Sequence, residues 1–194
     1  KVADRQGEGA EDRKAQAQGS NDWPGDVHAL FIEEAIRLVA FVPDAGHAAL
    51  IQRCEADPTM RIVRLSTEEE GVALLAGAWL GGMRGVLLMQ SSGVGNCINM
   101  LSLSITGQFP LLMLVTMRGD HGEFNPAQIP MGQATPKVLE AIGVIVKTAD
   151  QADQVRETVH GALRLAYNGC CPVAVLLGQK LLGAKDFRKL ARGE

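Results

Sequence analysis

The fold is decided by the stretch from Gly85 to Asn96, which reads GVLLMQSSGVGN. A short aliphatic run that ends in a polar turn containing glycine is typical of a buried strand that leads into a helix. The apolar residues are consecutive rather than alternating, which favours a parallel sheet covered by helices on both faces. We therefore expect a strand over Gly85–Met89 and a helix that starts near Gly93.

The same rhythm repeats on both sides of this stretch. Amphipathic segments alternate with short aliphatic runs, which indicates alternating helices and parallel strands. The predicted strands are Ile36–Val42, Arg61–Leu65, Gly85–Met89, Leu111–Met117, Gly143–Lys147 and Pro172–Leu177. The other predicted helices are Pro24–Glu34, Ala45–Ala56, Thr67–Leu80, Pro136–Ala141 and Gln151–Tyr167. The pattern predicts an α/β fold: a three-layer, open, doubly wound sheet of about six parallel strands.

The composition is that of one domain with polar ends. The chain has 194 residues, of which 46% are hydrophobic and 21% charged, enough for one substantial core. Residues 1–21 and 185–194 are polar and carry little apolar surface, so we expect tails there. The predicted domain covers residues 22–184.

Charge, cysteines and hydropathy disfavour several classes of protein. The net charge is −3, which offers no electrostatic surface for nucleic acid or an anionic membrane. The four cysteines form no CxxC pair and have no histidine at metal-ligand spacing, so no zinc site is predicted. No apolar run approaches the ~20 residues of a membrane helix, and the first residues do not form a signal-peptide pattern. We expect a soluble, cytoplasmic protein.

Polar residues follow four of the predicted strands. Parallel sheets bind ligands at the carboxyl ends of their strands, so candidate site residues are sought there. The polar junctions are Val42–Asp44, Leu65–Glu68, Met89–Gly93 and Met117–His121. We expect the last one to open a long polar loop that runs to about Thr135, and long ordered loops are often functional.

The acidic run Ser66–Glu70 opens the helix predicted after the second strand. Two pairs in this run have the capping-box spacing: Ser66 with Glu69, and Thr67 with Glu70. Neither pair accounts for Glu68, which lies four residues before Val72 and therefore close to the apolar stripe of the helix. We predict that Glu68 points inward, where a carboxyl group can share a proton with a nitrogen heterocycle. The alternative is a solvated acid that opposes the helix dipole.

The turn Ser92–Asn96 allows backbone to approach a ligand closely. It does not have the dinucleotide-binding pattern, because Ile98 stands at the position of the third glycine. A nucleotide-binding enzyme is therefore only weakly supported. The polar side chains of the turn could contact a ligand, or could satisfy the turn itself.

Three of these stretches together resemble the pyrimidine-binding domain of thiamine diphosphate enzymes. They are Phe41–Asp44 (FVPD), Thr67–Gly77 (TEEEGVALLAG) and Met89–Asn96 (MQSSGVGN). Within that superfamily the chain is similar to phosphonopyruvate decarboxylases and to the alpha subunits of sulfopyruvate decarboxylases. The resemblance extends from about Trp23 to Leu182.

The resemblance implies a decarboxylase of small 2-oxo acids such as sulfopyruvate or phosphonopyruvate, which releases carbon dioxide and an aldehyde. Glu68 would be the catalytic carboxyl that hydrogen-bonds the pyrimidine ring of thiamine diphosphate and activates the cofactor. The other cofactor-side candidates are Pro43, Ser92, Gly93, Gly95 and Asn96. A non-catalytic assembly or regulatory subunit that retains the fold is the alternative.

The resemblance also implies a partner chain. The family holds the diphosphate and magnesium with a Gly-Asp-Gly motif and a downstream Asn in a second domain. Gly119-Asp120-His121 lacks the third glycine of that motif. We therefore expect no metal ligand in this chain, a separate beta subunit that holds Mg²⁺ and the diphosphate, and an oligomer with the active site between subunits.

Four residues are candidates for contact with the substrate: Asp44, Arg118, His121 and Gln128. Arg118 and His121 follow a strand and could bind a sulfonate or phosphonate, for which arginine offers a planar fork. They could equally form a salt bridge and a solvated loop histidine. Asp44 could equally cap a helix. His47 is expected to cover the first turn of that helix, and Gln128 resembles the glutamine of a Pro-Gln-His stretch in the family.

Overall fold

A computed structural model describes residues 22–183, so the tails predicted over 1–21 and 185–194 lie outside the described residues. The strands are β1 (Ile36–Phe41), β2 (Arg61–Arg64), β3 (Arg84–Gln90), β4 (Leu111–Thr116), β5 (Ile145–Ala149) and β6 (Pro172–Leu177). The helices are α1 (Trp23–Glu33), α2 (Ala48–Ala56), α3 (Glu68–Leu80), α4 (Ser91–Cys97), α5 (Leu101–Gly107), α6 (Ile129–Ala141), α7 (Ala152–Gly169) and α8 (Gln179–Leu182). Single turns of 3₁₀ helix cover Ala45–His47 and Pro126–Gln128.

All strand pairs in the six-stranded sheet are parallel, and the strand order is β2-β1-β3-β4-β6-β5. The chain winds outward from β1 to β2 and then returns to β3 beside β1. The sheet is therefore doubly wound, as predicted, with its topological switch point between β1 and β3. Ligands of such sheets bind at the carboxyl ends of the strands near this point.

Two hydrophobic cores cover the two faces of the sheet. Alternate residues of β4 enter different cores: Leu112 and Leu114 pack with α1, α2 and α7, whereas Met113 and Val115 pack with α3, α4 and α6. Every residue of β4 and β6 is buried, as expected for central strands between two helical layers. The three-layer prediction is confirmed.

The predicted start of α6 at Pro136 is wrong. The helix begins at Ile129, with Pro130 in its first turn and Pro136 in its interior. A proline in the first turn of a helix gives up no hydrogen bond, so both prolines fitted a helix start and the sequence pattern could not distinguish them. The polar loop after β4 consequently ends near Asn125 rather than Thr135.

Other boundaries also differ from the prediction, and two of them lie near the glycine turn and at β5. The helix expected near Gly93 begins at Ser91, directly after β3, and is divided into α4 and α5. β5 begins two residues later than predicted, because Gly143 has a φ of +93° and belongs to the turn that ends α6. Neither change alters the topology.

None of the helices between residues 22 and 183 combines the length and the apolar character that a bilayer crossing requires.

Candidate active site

Glu68 is the first residue of α3 and lies at the carboxyl edge of the sheet. Its side chain is 7% exposed, whereas Glu69 and Glu70 are exposed. The inward orientation predicted from helical spacing is therefore confirmed. Neither predicted capping box is formed: the Glu70 carboxylate accepts a hydrogen bond from the amide of Ser66, one residue before the N-cap, at 2.8 Å, and the Thr67 hydroxyl makes no capping bond.

The glycine turn after β3 packs directly on this carboxyl group. Asn96 donates a hydrogen bond from Nδ2 to Oε2 of Glu68 at 2.9 Å. A Cβ atom at position 93 would overlap the Glu68 carboxyl, so the carboxyl can keep this position only because residue 93 is glycine. Glu68, Gly93 and Asn96 thus form one cluster, the carboxylate cluster.

Two other cofactor-side candidates lie near this cluster without touching Glu68. Ser92 is exposed and donates a hydrogen bond to Oε1 of Gln90 at 2.8 Å. Gly95 is exposed, and a Cβ atom placed there would only approach the sulfur of Met131, at 3.4 Å. The turn therefore presents small side chains and backbone on the outer side of the carboxylate cluster.

Cys97 lies fully buried behind Glu68. Burial, together with the negative charge of Glu68, raises the pKa of the thiol to about 12. A thiol with that pKa is protonated at neutral pH and is a poor nucleophile.

A polar cavity of about 250 Å³ lies beside the carboxylate cluster, where β1, β3, β4 and β6 end. Asp44 lines it. This carboxylate accepts hydrogen bonds from the Gly46 amide at 3.0 Å, from Gln90 Nε2 at 2.9 Å and from Thr116 Oγ1 at 2.6 Å. Asp44 thus both caps the 3₁₀ turn and lines a cavity at the switch point of the sheet, together with Pro43.

Gln90 joins the cavity to the glycine turn. Its amide donates to Asp44 through Nε2 and accepts from Ser92 through Oε1. The sequence analysis did not single out Gln90 or Thr116, although both are the last residues of strands that end at this edge. Their position at strand ends was the signal that could have identified them.

Arg118 also lines the cavity, but its planar fork is engaged by another residue. Its Nε and Nη2 atoms donate to the two carboxylate oxygens of Glu123, at 2.7 and 2.6 Å. The Arg118 guanidinium lowers the pKa of Glu123 to about 2, so the pair is fully ionised at neutral pH. The salt-bridge alternative is the one observed, and only the outer part of the guanidinium can face a ligand.

His121 and Gln128 do not line the cavity. His121 is exposed on the loop after β4, and its backbone amide donates to Gln179 Oε1 at 3.0 Å. Gln128 precedes α6 as its N-terminal capping residue without a side-chain capping bond. Gln179, which the sequence analysis did not identify, lines the cavity instead.

His47 is fully buried, contrary to the expectation that it covers a helix turn. Its Nε2 atom lies 3.0 Å from the carbonyl oxygen of Leu114, and its Nδ1 atom is buried without a hydrogen-bond partner. Burial lowers the pKa of His47 below 6.5, against the opposing effect of the Asp44 charge. The imidazole is therefore neutral and supports the edge of the sheet beneath the cavity.

Within residues 22–183, no group of three or more His, Cys, Asp or Glu side chains is arranged to hold a metal ion. Asp120, the acid of the incomplete Gly-Asp-Gly motif, accepts from the Gln179 backbone amide at 3.3 Å. Its carboxylate is thus used to fix the loop after β4.

Comparison with known proteins shows that the sequence is similar to those of decarboxylases. The chain is 35% identical over 152 residues to the sulfopyruvate decarboxylase subunit alpha of Methanococcus maripaludis, an alignment that covers 78% of this chain and 91% of the relative. The subunit alpha of Methanothermobacter thermautotrophicus is 34% identical, over 78% and 92% of the two chains. A phosphonopyruvate decarboxylase of Streptomyces viridochromogenes is 38% identical over 107 residues, which cover 54% of this chain and 27% of that enzyme.

Among solved structures, the fold is similar to a 2-oxoglutarate:ferredoxin oxidoreductase from Magnetococcus marinus, with a TM-score of 0.63 and 17% identity. The match covers 82% of this chain and 29% of that chain, and at this identity it shows the fold alone. No family model matches the sequence.

Proposed function

The chain belongs to the family of sulfopyruvate decarboxylase alpha subunits, and from this premise we propose that it is the pyrimidine-binding subunit of a thiamine diphosphate-dependent decarboxylase. The proposed substrate is a three-carbon 2-oxo acid with a terminal sulfonate or phosphonate. The observation that carries the proposal is the carboxylate cluster of Glu68, Gly93 and Asn96. The pyrimidine-binding unit is proposed to span residues 22–184.

The carboxylate cluster fits a pyrimidine ring. Among the described residues, one hydrogen bond reaches the Glu68 carboxylate, and it goes to Oε2. Oε1 is left as the oxygen at which a proton can be shared with a ring nitrogen. Because position 93 has no side chain, the Glu68 carboxyl packs directly on the glycine turn.

Glu68 would act by holding and moving this proton. Its position at the edge of an apolar face keeps the carboxyl group largely out of water, and Asn96 fixes its orientation. When bound, thiamine diphosphate supplies the electron sink that takes up the electron pair released as carbon dioxide departs. In the overall reaction the bond to the carboxylate breaks, and a proton takes its place to give the aldehyde.

The polar cavity is the proposed place of the substrate. Its volume of about 250 Å³ suits a small acid. Gln90 and Thr116 are held by Asp44, so the polar wall of the cavity is fixed before a ligand arrives. The Arg118 N–H groups that Glu123 does not use are the charged donors available for a terminal anion.

We assign the diphosphate and Mg²⁺ to a separate beta subunit. One observation supports this: the relatives are named as subunits alpha. The active site would then lie between the two chains.

Glu68→Gln tests the proposal in the complex with the beta subunit. The amide keeps the size of the carboxyl but cannot carry the shared proton, so we expect decarboxylation to fall by about 10²- to 10⁴-fold while assembly is retained. Glu69→Gln, one residue along the same helix and exposed, is the matched control and should turn over normally. Near-normal turnover by Glu68→Gln would refute the proposed role.

A further inference from the structure

Glu123 is a buried carboxylate in the loop between β4 and α6. Its side chain is 2% exposed. Oε2 accepts from Arg118 Nε at 2.7 Å, Gln179 Nε2 at 2.8 Å and the Gly119 amide at 3.2 Å. Oε1 accepts from Arg118 Nη2 at 2.6 Å and the Asn125 amide at 3.0 Å. The loop is thus folded around one negative charge.

Gln179 extends this network from the far side of the loop. It is 3% exposed, and its Oε1 atom accepts from the backbone amides of Asp120 at 3.2 Å and His121 at 3.0 Å. Glu123 and Gln179 together therefore accept hydrogen bonds from the backbone amides of four loop residues. A loop in which these donors are satisfied internally is held in one conformation.

Arg118 is restrained on several sides by the same loop. Its backbone amide donates to Ser91 Oγ at 3.1 Å, and its guanidinium lies over the Phe124 ring with 5.4 Å between the group and the ring centre. Its Nε and Nη2 atoms are fixed by Glu123. An arginine that is held along one edge and one face can offer a ligand only its remaining N–H groups. Because Arg118 lines the cavity, these groups are available to a ligand bound there.

Glu123 has no acid–base role in this arrangement. Its low pKa, caused first by the hydrogen bonds from Arg118, keeps it ionised at any pH at which the enzyme would work. Displacing it from Arg118 would leave a buried charge without its partner, which is costly. The carboxylate therefore acts on the position of Arg118 rather than as a reacting group.

We infer that Glu123 is a positioning residue that fixes Arg118, and with it the loop, for recognition of the substrate's terminal anion. The inference rests on the proposed function, because it specifies how the same cavity distinguishes an acid with a terminal anion from one without. Glu123 would touch no substrate itself. Its effect should therefore depend on Arg118 and on the charge of the substrate.

The first test is ligand binding, which does not require turnover. 3-Sulfopropionate, an unreactive analogue of sulfopyruvate, is titrated calorimetrically into the assembled complex. We expect Glu123→Gln to weaken its binding by about tenfold, as expected for loss of charged hydrogen bonds. The matched control is Glu33→Gln, which removes the carboxylate of the exposed Arg156–Glu33 pair of 2.7 Å between α7 and α1 and should leave binding unchanged.

The second test separates positioning from simple structural support. Sulfopyruvate and pyruvate are compared as substrates, and Glu123→Gln should raise the KM for sulfopyruvate by about tenfold while the KM for pyruvate and both kcat values change little. Arg118→Lys keeps the charge but loses the two-point contact, so it should reproduce this selectivity change even if Glu123→Gln does not assemble. In an Arg118→Gln background, adding Glu123→Gln should have no further effect.

The order of the loop is measured by amide hydrogen exchange of the complex. Exchange of Gly119 and Asn125 should rise by about tenfold or more in Glu123→Gln and remain unchanged in Glu33→Gln. Any of three results would overturn the inference: equal changes in KM for both substrates, tighter binding of 3-sulfopropionate by Glu123→Gln, or no binding of 3-sulfopropionate by the wild-type complex. A wild-type complex that binds 3-sulfopropionate but decarboxylates neither acid would instead overturn the proposed function.

Discussion

Glu68 in α3 packs against Gly93 in α4, so each residue limits which side chain the other position can hold. Helical spacing from Val72 was enough to predict that Glu68 points inward, because the apolar face of α3 is a local pattern. Its contacts with Gly93 and Asn96 lie beyond the reach of such a pattern, since these residues belong to another strand–helix connection. The glycine turn was recognised through the family resemblance, and the structure gives its physical reason.

Gly93→Ala should disable the carboxylate cluster. The added methyl group would overlap the Glu68 carboxyl, so we expect Glu68 to be displaced, the melting temperature to fall and decarboxylation to drop by at least about tenfold. Gly95→Ala, in the same helix, meets only the Met131 sulfur at 3.4 Å and should be as stable as the wild type or slightly more so. Thermal melts and turnover of both variants in the complex test this, and equal behaviour of the two variants would contradict it.

His47 should make the stability of the chain depend on pH. Burial lowers its pKa in the folded state, so below pH 6.5 the unfolded chain binds a proton that the native state excludes. The free energy of unfolding should therefore fall as the pH drops below about 6.5, with a limiting slope of about 1.4 kcal/mol per pH unit for one proton. Urea unfolding at several pH values should show a shallower dependence for His47→Gln, and a slope identical to that of the wild type would argue against this origin.

The pair Arg118–Glu123 shows what residue-level sequence analysis could not predict. The two residues are five apart in an irregular loop, where no helical or strand periodicity indicates which side chains meet. Ligand binding and a salt bridge therefore stayed open for Arg118, and the partner that the fold supplies, Glu123, was not identified.

At the scale of elements, the start of α6 determines the shape of the loop that precedes it. Gly132 lies in the second turn of this helix, and a side chain there would collide with the carbonyl oxygen of Arg118. Gln133 adds a hydrogen bond from Nε2 to the Gly119 carbonyl at 2.6 Å. Because the sequence analysis placed the helix start at Pro136, it assigned these supporting residues to the loop itself.

Gly132→Ala should separate the loop from α6. The clash involves backbone on both sides and cannot be relieved by a side-chain rotation, so we expect destabilisation on the order of 2 kcal/mol and weaker binding of the substrate analogue. Gly161→Ala in α7 is the matched control, since no atom lies within 4 Å of the added methyl group. That control should stabilise the protein by about 0.5–1 kcal/mol, and comparable melting temperatures for the two variants would contradict the role of Gly132.

At the scale of the whole molecule, the sequence predicted the class of fold but not the order of the strands in the sheet. Consecutive aliphatic runs such as those of β4 and β6 predict central parallel strands from local composition. The lateral order β2-β1-β3-β4-β6-β5 depends on contacts between distant segments, which no local pattern encodes. The cavity at the switch point depends on that order. The sequence could therefore indicate candidate residues at the end of each strand, but not which of them line one cavity.

Cofactor affinity should depend on assembly. If the diphosphate and Mg²⁺ are held by the beta subunit, calorimetric titration of thiamine diphosphate with Mg²⁺ should show affinity at least about 100-fold higher for the complex than for this chain alone. The isolated beta subunit provides the second reference. If thiamine diphosphate binds the beta subunit equally tightly with and without this chain, an assembly role for this chain is favoured instead.

The bond between Gln179 and the amides of Asp120 and His121 joins positions almost sixty residues apart. During translation, the segment after β4 leaves the ribosome well before β6 and Gln179 exist. The loop after β4 is therefore completed only when Gln179, near the end of the described residues, has been made. Truncation just before Gln179 would keep all six strands and leave the amides of Asp120 and His121 without their acceptor.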